Sequence, residues 1–130
     1  MTQTKAQALG ALGERIAERW LVRDGWQVVD RRWRSGRRDL DLVAIRGNVV
    51  AFVEVKTRRS TWSGGPVEAV NWRKQRELTR SAQAWIDQRG TLVAPAPAVF
   101  RFDVVGVVAS RERVGVCHVT AAFPAFQAAQ

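Results

Sequence analysis

The chain is 130 residues long, 46% hydrophobic and 25% charged, with a formal net charge of +9 at pH 7. That length suits a single domain over residues 1–130 and is too short for two, and the apolar fraction excludes wholesale disorder. No apolar run approaches the roughly 18 residues of a membrane span, no basic-then-apolar leader opens the chain, and the single cysteine, Cys117, excludes an internal disulfide or a cysteine-built zinc cluster, so a cytoplasmic protein without a membrane partner is expected.

Leu9, Leu12, Ile16 and Trp20 recur at three- and four-residue steps, which predicts a helix from about Lys5 to Asp24 with Gly25 as its stop. Trp26 to Trp33 reads as a strand. Asp39 to Ile45 and Val49 to Lys56 alternate strongly around Gly47-Asn48, a pair suited to a type II′ hairpin turn. Thr57 to Gly65 is a polar loop, and Pro66 opens a second helix running to about Arg89 before Gly90. Thr91 to Pro97 is a Pro/Ala loop, Phe100 to Val108 and Val114 to Thr120 are two more strands, and residues 124–130 form a tail expected to fray. Trp20, Trp26, Trp72 and Trp85 are assigned to the core. The expected class is α/β, in the order α-β-β-β-α-β-β, a mixed sheet flanked by helices.

The hairpin carries the chemistry. With Gly47 and Asn48 in the turn, Arg46 faces Val49, Asp41 faces Glu54 and Asp39 faces Lys56. Opposed residues project from one sheet face with Cβ atoms roughly 4.5–5.5 Å apart. One face then carries Asp39, Asp41, Glu54 and Lys56 at its far end, and Val43, Ile45, Val50 and Phe52 near the turn. The other face holds Leu40, Leu42, Ala44, Ala51, Val53 and Val55. Both faces are largely apolar, so something packs on each, and the charges sit where a covered face runs out. Two opposed carboxylates repel unless a cation or proton lies between them. A hard ion such as Mg²⁺, with Mn²⁺ as a substitute, takes one or two carboxylates plus waters and phosphate oxygens. It lowers the pKa of a bound water and neutralises a phosphorane-like transition state. Lys56 is placed to orient the attacking water or stabilise the developing charge.

Eighteen arginines and three lysines supply the positive charge, and the planar arginine fork suits phosphates and base edges. The expected partner is therefore nucleic acid, DNA ahead of RNA, and homodimerisation is compatible with it. Arg31, Arg32, Arg34, Arg37 and Arg38 crowd ahead of the acidic strand with Trp33 among them, while Arg58, Arg59 and Trp62 follow Lys56. Both segments end at the carboxylate pole of the sheet, so the cations are expected to hold phosphates and the tryptophans to stack on unpaired bases. Lys74 falls in the middle of the helical face of Val67, Val70, Leu78 and Trp85, where a lysine is satisfied by reaching the carboxylates or a substrate phosphate. Gly10 and Gly13, each costing about 1 kcal/mol relative to alanine inside a helix, mark a surface approached closely by backbone or substrate. Asp103 is expected in an internal salt bridge, and His118 as a packed residue rather than a general base.

Asp41 followed by Glu54-Val55-Lys56 at the far end of a hairpin resembles the PD-(D/E)XK nuclease superfamily. The longer string is similar to the YraN family of small bacterial proteins, related to archaeal Holliday junction resolvases. It comprises Gly10-x-x-Gly13-Glu14-x-x-Ala17, Trp33-Arg34, Asp39-Leu40-Asp41-Leu42, Phe52-Val53-Glu54-Val55-Lys56-Thr57-Arg58, Ala69-Val70 with Lys74, Arg101-Phe102-Asp103-Val104 and Ala122-Phe123. Their order and spacing carry the likeness. Where the family usually reads Gly-Glu-x-Asp-Leu, this chain has Arg38-Asp39-Leu40-Asp41-Leu42, and Asp39 keeps the charge with a shorter reach. The resemblance implies a restriction-endonuclease-like core and a role for Glu14 as a further acidic residue at the metal site. The residues alone allow Glu14 equally to be a solvated glutamate among Arg15 and Glu18. A metal-dependent endonuclease, structure-selective for branched DNA, is the leading expectation. A non-catalytic nucleic-acid-binding module that keeps the fold is the second.

Overall fold

A computed structural model of the protein describes residues 2–60 and 65–124; Trp62 and most of the expected tail lie outside the described residues. Helix α1 (Lys5–Arg23) begins at a capping box. Thr4 Oγ1 accepts the Gln7 N–H at 3.0 Å, and Gln7 Oε1 accepts the Thr4 N–H at 2.9 Å, which satisfies two of the amides a helix start leaves open. Gly25, at φ 89, turns the chain out of the helix as expected. Strands β1 (Gln27–Ser35), β2 (Arg38–Arg46) and β3 (Val49–Arg58) form an antiparallel meander. The β2–β3 pairing runs from Arg46↔Val49 to Leu42↔Val53, the register expected from the Gly47-Asn48 turn. After the crossover, β4 (Val99–Ala109) pairs parallel to β3, and β5 (Val114–Phe123) closes the five-stranded mixed sheet in the order β1-β2-β3-β4-β5.

Helix α2 (Trp72–Trp85) lies in that crossover. The expected helix from Pro66 breaks after one 3-10 turn, Pro66–Ala69. Val70 leaves helical geometry, and Asn71 restarts the helix as an extended N-cap whose Oδ1 accepts the Lys74 N–H at 2.9 Å. The break turns Val70 into the core at 2% exposure. Past Trp85 the helix widens into a π turn, Ile86–Gly90, and Thr91–Val93 adds a short helical turn where a plain loop was expected.

Each sheet face has its own core. Ala17 and Leu21 of α1 pack with Trp26, Leu42, Ala44, Ala51, Val53, Val105 and Val107. Leu78, Ala82 and Trp85 of α2 pack with Leu40, Val43, Val50, Phe52, Phe102, Val104 and Phe123. Phe52 meets Trp85 edge-on at 5.6 Å and Phe123 stacks on Phe102 at 4.8 Å, contacts worth about 0.5–1.5 kcal/mol each beyond area burial. The result is the α/β mixed sheet that the order of elements implied, consistent with the restriction-endonuclease-like core that the resemblance implied. Among the described residues no helix is long and apolar enough to cross a membrane.

Three further expectations change. Leu40 packs on the α2 side with Val43, not with Leu42 on the α1 side. The β1–β2 register pairs Trp33↔Leu40 and Arg31↔Leu42; between them Arg32 takes φ 47, a left-handed conformation that breaks the two-residue alternation at this end of the sheet. Trp20 and Trp72 are not core: they are 38% and 61% exposed, Trp72 because it is the first residue of α2, ahead of the buried stripe. Trp33, expected to stack on bases, packs partly against the α2-side core.

Candidate active site

The regular β2–β3 ladder stops at Leu42↔Val53, one pair before the two acidic residues. Beyond it the Asp41 side chain takes over: its Oδ2 accepts the Val55 backbone N–H at 2.8 Å. Asp41 and Glu54 line the same depression, close enough for the charge of Glu54 to act on Asp41. Burial first, then Glu54's hydrogen bond and charge, push the Asp41 carboxyl up to about 8, against the opposing pull of the Val55 amide and Lys74. Glu54 is 5% exposed, and its Oε2 lies 3.7 Å from Lys56 Nζ and 3.4 Å from Lys74 Nζ. Lys74 thus reaches Glu54 from α2, one of the two ways its place on the apolar face could be satisfied. Burial would lower the Lys74 pKa, yet the charge and hydrogen bond of Glu54, with Asp39 and Asp41 behind, leave it raised.

The β2–β3 ladder ends before Asp39 and Lys56, so their expected opposition is not part of it. On the other edge of β2, Asp39 pairs with Arg34 of β1, stays exposed, and donates its N–H to Ser81 Oγ at 3.3 Å. Its charge still acts on Lys74.

Helix α1 brings Glu14 to the same end of the sheet because Gly13 lets it come close: a Cβ there would stand 1.8 Å from Thr57 Oγ1. Gly10, the other helical glycine, has open space where its Cβ would be. Two adjoining depressions, of about 840 and 480 Å³, meet at Gly10, Glu14 and Asp41. The first extends to Arg32, Arg34 and Asp39, the second to Glu54, Lys56, Arg58, Arg59 and Lys74. The cleft therefore crosses the acidic pair with cations on both sides.

Several of the basic residues are already engaged. Arg31 closes its fork on both Glu18 oxygens, with Nε 2.6 Å from Oε1. Arg32 Nε donates to Glu14 Oε1 at 2.8 Å, and Arg38 NH1 to Glu77 Oε2 at 2.8 Å. Arg58 NH1 donates to the Thr57 carbonyl at 3.1 Å. Arg34, Arg37 and Arg59 are exposed. Glu14 is thus bound to Arg32 of β1 rather than to Arg15 of its own helix. Sequence reasoning missed that pairing, although Glu14 and Glu18, four residues apart on one helix face, and the adjacent Arg31-Arg32 were its available signal.

Asp103 lies outside the cleft as the hub of a buried network. It accepts Arg101 Nε at 2.9 Å and NH2 at 3.1 Å and the Ala121 N–H at 3.1 Å, and it pairs with His118 Nε2 at 2.8 Å. The Arg101 pair is the salt bridge expected, and His118 is packed against it.

A hard divalent ion suits the Asp41–Glu54 pair: two carboxylates crowded at a cleft relieve their repulsion on a cation and leave the rest of its shell to water and phosphate oxygens. Among the described residues no group of three or more His, Cys, Asp or Glu stands ready to enclose a metal without such added ligands.

Residues 13–107, from the middle of α1 into β4 and including Glu14, Asp41, Glu54, Lys56 and Lys74, match the family described as uncharacterised protein family UPF0102. The chain belongs to that family. UPF0102 proteins similar to it include one of Alkaliphilus metalliredigens, 41% identical over 108 residues, which covers 83% of this chain and 91% of the relative. One of Beutenbergia cavernae is 46% identical over 112 residues, covering 86% and 90%. One of Myxococcus xanthus is 40% identical over 119 residues, covering 89% of both. This is the YraN group that the motif string resembled.

Proposed function

We propose that this UPF0102 protein is a metal-dependent endonuclease that hydrolyses phosphodiester bonds of nucleic acid, DNA ahead of RNA, in the cytoplasm. The observation that carries the reading is that Asp41 and Glu54 line one cleft together with Lys56 and Lys74. Asp41 and Glu54 are the residues to hold Mg²⁺ or Mn²⁺. When bound, such an ion supplies charge neutralisation for the phosphoryl transition state. Val55's N–H fixes Asp41 in place, so that carboxylate needs little reorganisation. Lys56, on the strand that carries Glu54, is placed to orient the attacking water or stabilise charge developing on the phosphate. Lys74 holds Glu54 from the opposite element and offers a second cation to a substrate phosphate. Arg34, Arg58 and Arg59 line the cleft on either side of the carboxylates, where a phosphate backbone runs past them.

One observation favours a second reading, a nucleic-acid-binding module without catalysis: two ammonium groups already compensate Glu54. Incubating the purified chain with labelled branched, duplex and single-stranded DNA, with Mg²⁺ and with Mn²⁺, separates the two. Cleavage that Asp41→Ala, Glu54→Ala and Lys56→Ala each abolish supports the nuclease. Binding without cleavage of any substrate sinks it in favour of the module.

A further inference from the structure

Arg31 and Arg32 are neighbours in sequence, both face α1, and each meets a glutamate there, yet they are held differently. Arg31 spends Nε and NH2 on the two oxygens of Glu18 and so is closed as a bidentate pair. Arg32 gives Glu14 only its Nε; among the described residues its NH1 and NH2 have no partner, and its side chain remains 61% exposed. It reaches this pose through a left-handed backbone at φ 47, a strained conformation for a non-glycine residue. An ordinary extended residue at this point of β1 would follow the strand's alternation and leave the α1 face. The strain thus puts the guanidinium beside Glu14 on the wall of the cleft that contains Asp41. Asp41's charge is felt at Arg32 as well.

We infer that Arg32 is the arginine that grips a phosphate of the nucleic-acid backbone next to the Asp41–Glu54 pair, and that Glu14 is a positioning residue which holds its Nε so that NH1 and NH2 face the cleft. This rests on the nucleic-acid reading above and assigns Glu14 a role other than metal ligand. A guanidinium anchored at Nε presents its two terminal nitrogens as a fork, which matches two oxygens of one phosphate. Glu14, at 22% side-chain exposure, is itself fixed on a helix that Gly13 seats directly against β3.

The sign of one substitution separates positioning from plain electrostatics. Glu14→Ala removes a negative charge from a cleft that binds a polyanion, so charge alone predicts tighter binding. Loss of positioning predicts weaker binding, and Glu14→Gln, which keeps an oxygen for the Arg32 Nε, restores it in large part.

The test is the affinity of the full chain for a fluorescent single-stranded DNA oligonucleotide in EDTA, over a range of salt concentrations. Arg32→Ala is expected to weaken binding about tenfold and to reduce the salt slope by about 0.7, one contact on a single strand. Arg32→Gly, which relaxes the left-handed backbone, should bind as weakly while melting no lower than the parent, which separates lost contact from lost folding. Arg31→Ala should lower the slope less than half as much. Mg²⁺ affinity, by calorimetry, should be the same for Glu14→Gln as for the parent; a tenfold loss would make Glu14 a metal ligand and overturn its positioning role. Parent-like DNA binding by Arg32→Gly, or tighter binding by Glu14→Ala, overturns the inference while leaving the nuclease reading intact. A parent chain that binds no DNA overturns both, and one that binds in this pattern without cleaving overturns the nuclease alone.

Discussion

Gly13 of α1 lies against Thr57 of β3 so closely that a Cβ on the glycine would stand 1.8 Å from the threonine Oγ1 and 2.8 Å from its Cβ and Cγ2. The helix is seated on the strand that carries Glu54 and Lys56, and Glu14 follows from the next position.

Gly13→Ala is therefore expected to destabilise the protein although alanine is the better helix former by about 1 kcal/mol. The whole Thr57 side chain is in the way, not a movable tip, so α1 must lift, at a cost of about 1–3 kcal/mol for overpacking. Thermal melting should fall by several degrees, and Thr57→Ala in the same background should recover part of the loss. An unchanged or higher melting temperature for Gly13→Ala would show that α1 is not seated here.

Asp41→Asn should make the metal-free protein more stable while removing its metal response. Asparagine keeps an oxygen for the Val55 N–H and ends the repulsion with Glu54, a gain on the order of 1 kcal/mol. Melting in EDTA and then in Mg²⁺ checks this. The parent should rise with Mg²⁺ and the variant should start higher and stay level; equal Mg²⁺ responses would mean that Asp41 holds no ion.

Lys74→Ala and Lys56→Ala should part company in the presence of metal. Each removes an ammonium from Glu54 Oε2, so both should tighten Mg²⁺ binding a few-fold by removing a like charge. Lys56→Ala alone should abolish cleavage, and Lys74→Ala should chiefly weaken substrate binding. If both variants bind Mg²⁺ less well than the parent, the lysines hold the carboxylates in their metal-binding pose instead of competing with the ion.

Asp103 sets an acid limit on stability. Burial alone would raise its carboxyl pKa, but hydrogen bonds from His118, Arg101 and the Ala121 amide hold it below the usual carboxylate value. A depressed folded pKa contributes stability above the unfolded value of about 3.9, lost as pH falls through the folded one. Melting followed from pH 7 to pH 2.5 should show the parent losing its advantage over Asp103→Asn below about pH 4. At pH 7 the variant should be weaker by roughly 3 kcal/mol, because Arg101 loses its charged partner. A constant difference across the range would mean that Asp103 does not titrate with folding.

Local pattern determined much of this protein on its own. Period-two alternation on either side of Gly47-Asn48 settled the hairpin register from Arg46↔Val49 to Leu42↔Val53. The misfit of Lys74 on an apolar helical face called for an anion, the carboxylates or a phosphate, and the folded chain supplies Glu54. The order of apolar segments was enough for a mixed sheet between two helices. Contacts distant in sequence were decided only by tertiary packing. Periodicity assumes an unbroken strand, so it could register neither the left-handed Arg32 of β1 nor the place of Leu40 of β2 on the α2 side. Composition counted the arginines but not their partners: Glu14, Glu18 and Glu77 take up Arg32, Arg31 and Arg38 only once α1 and α2 are laid on the sheet. The Asn71 cap likewise won over a helix start at Pro66 because breaking the helix let Val70 turn into the core. An ion pair between elements is fixed by where their backbones cross, and that geometry is a property of the folded chain rather than of any segment of it.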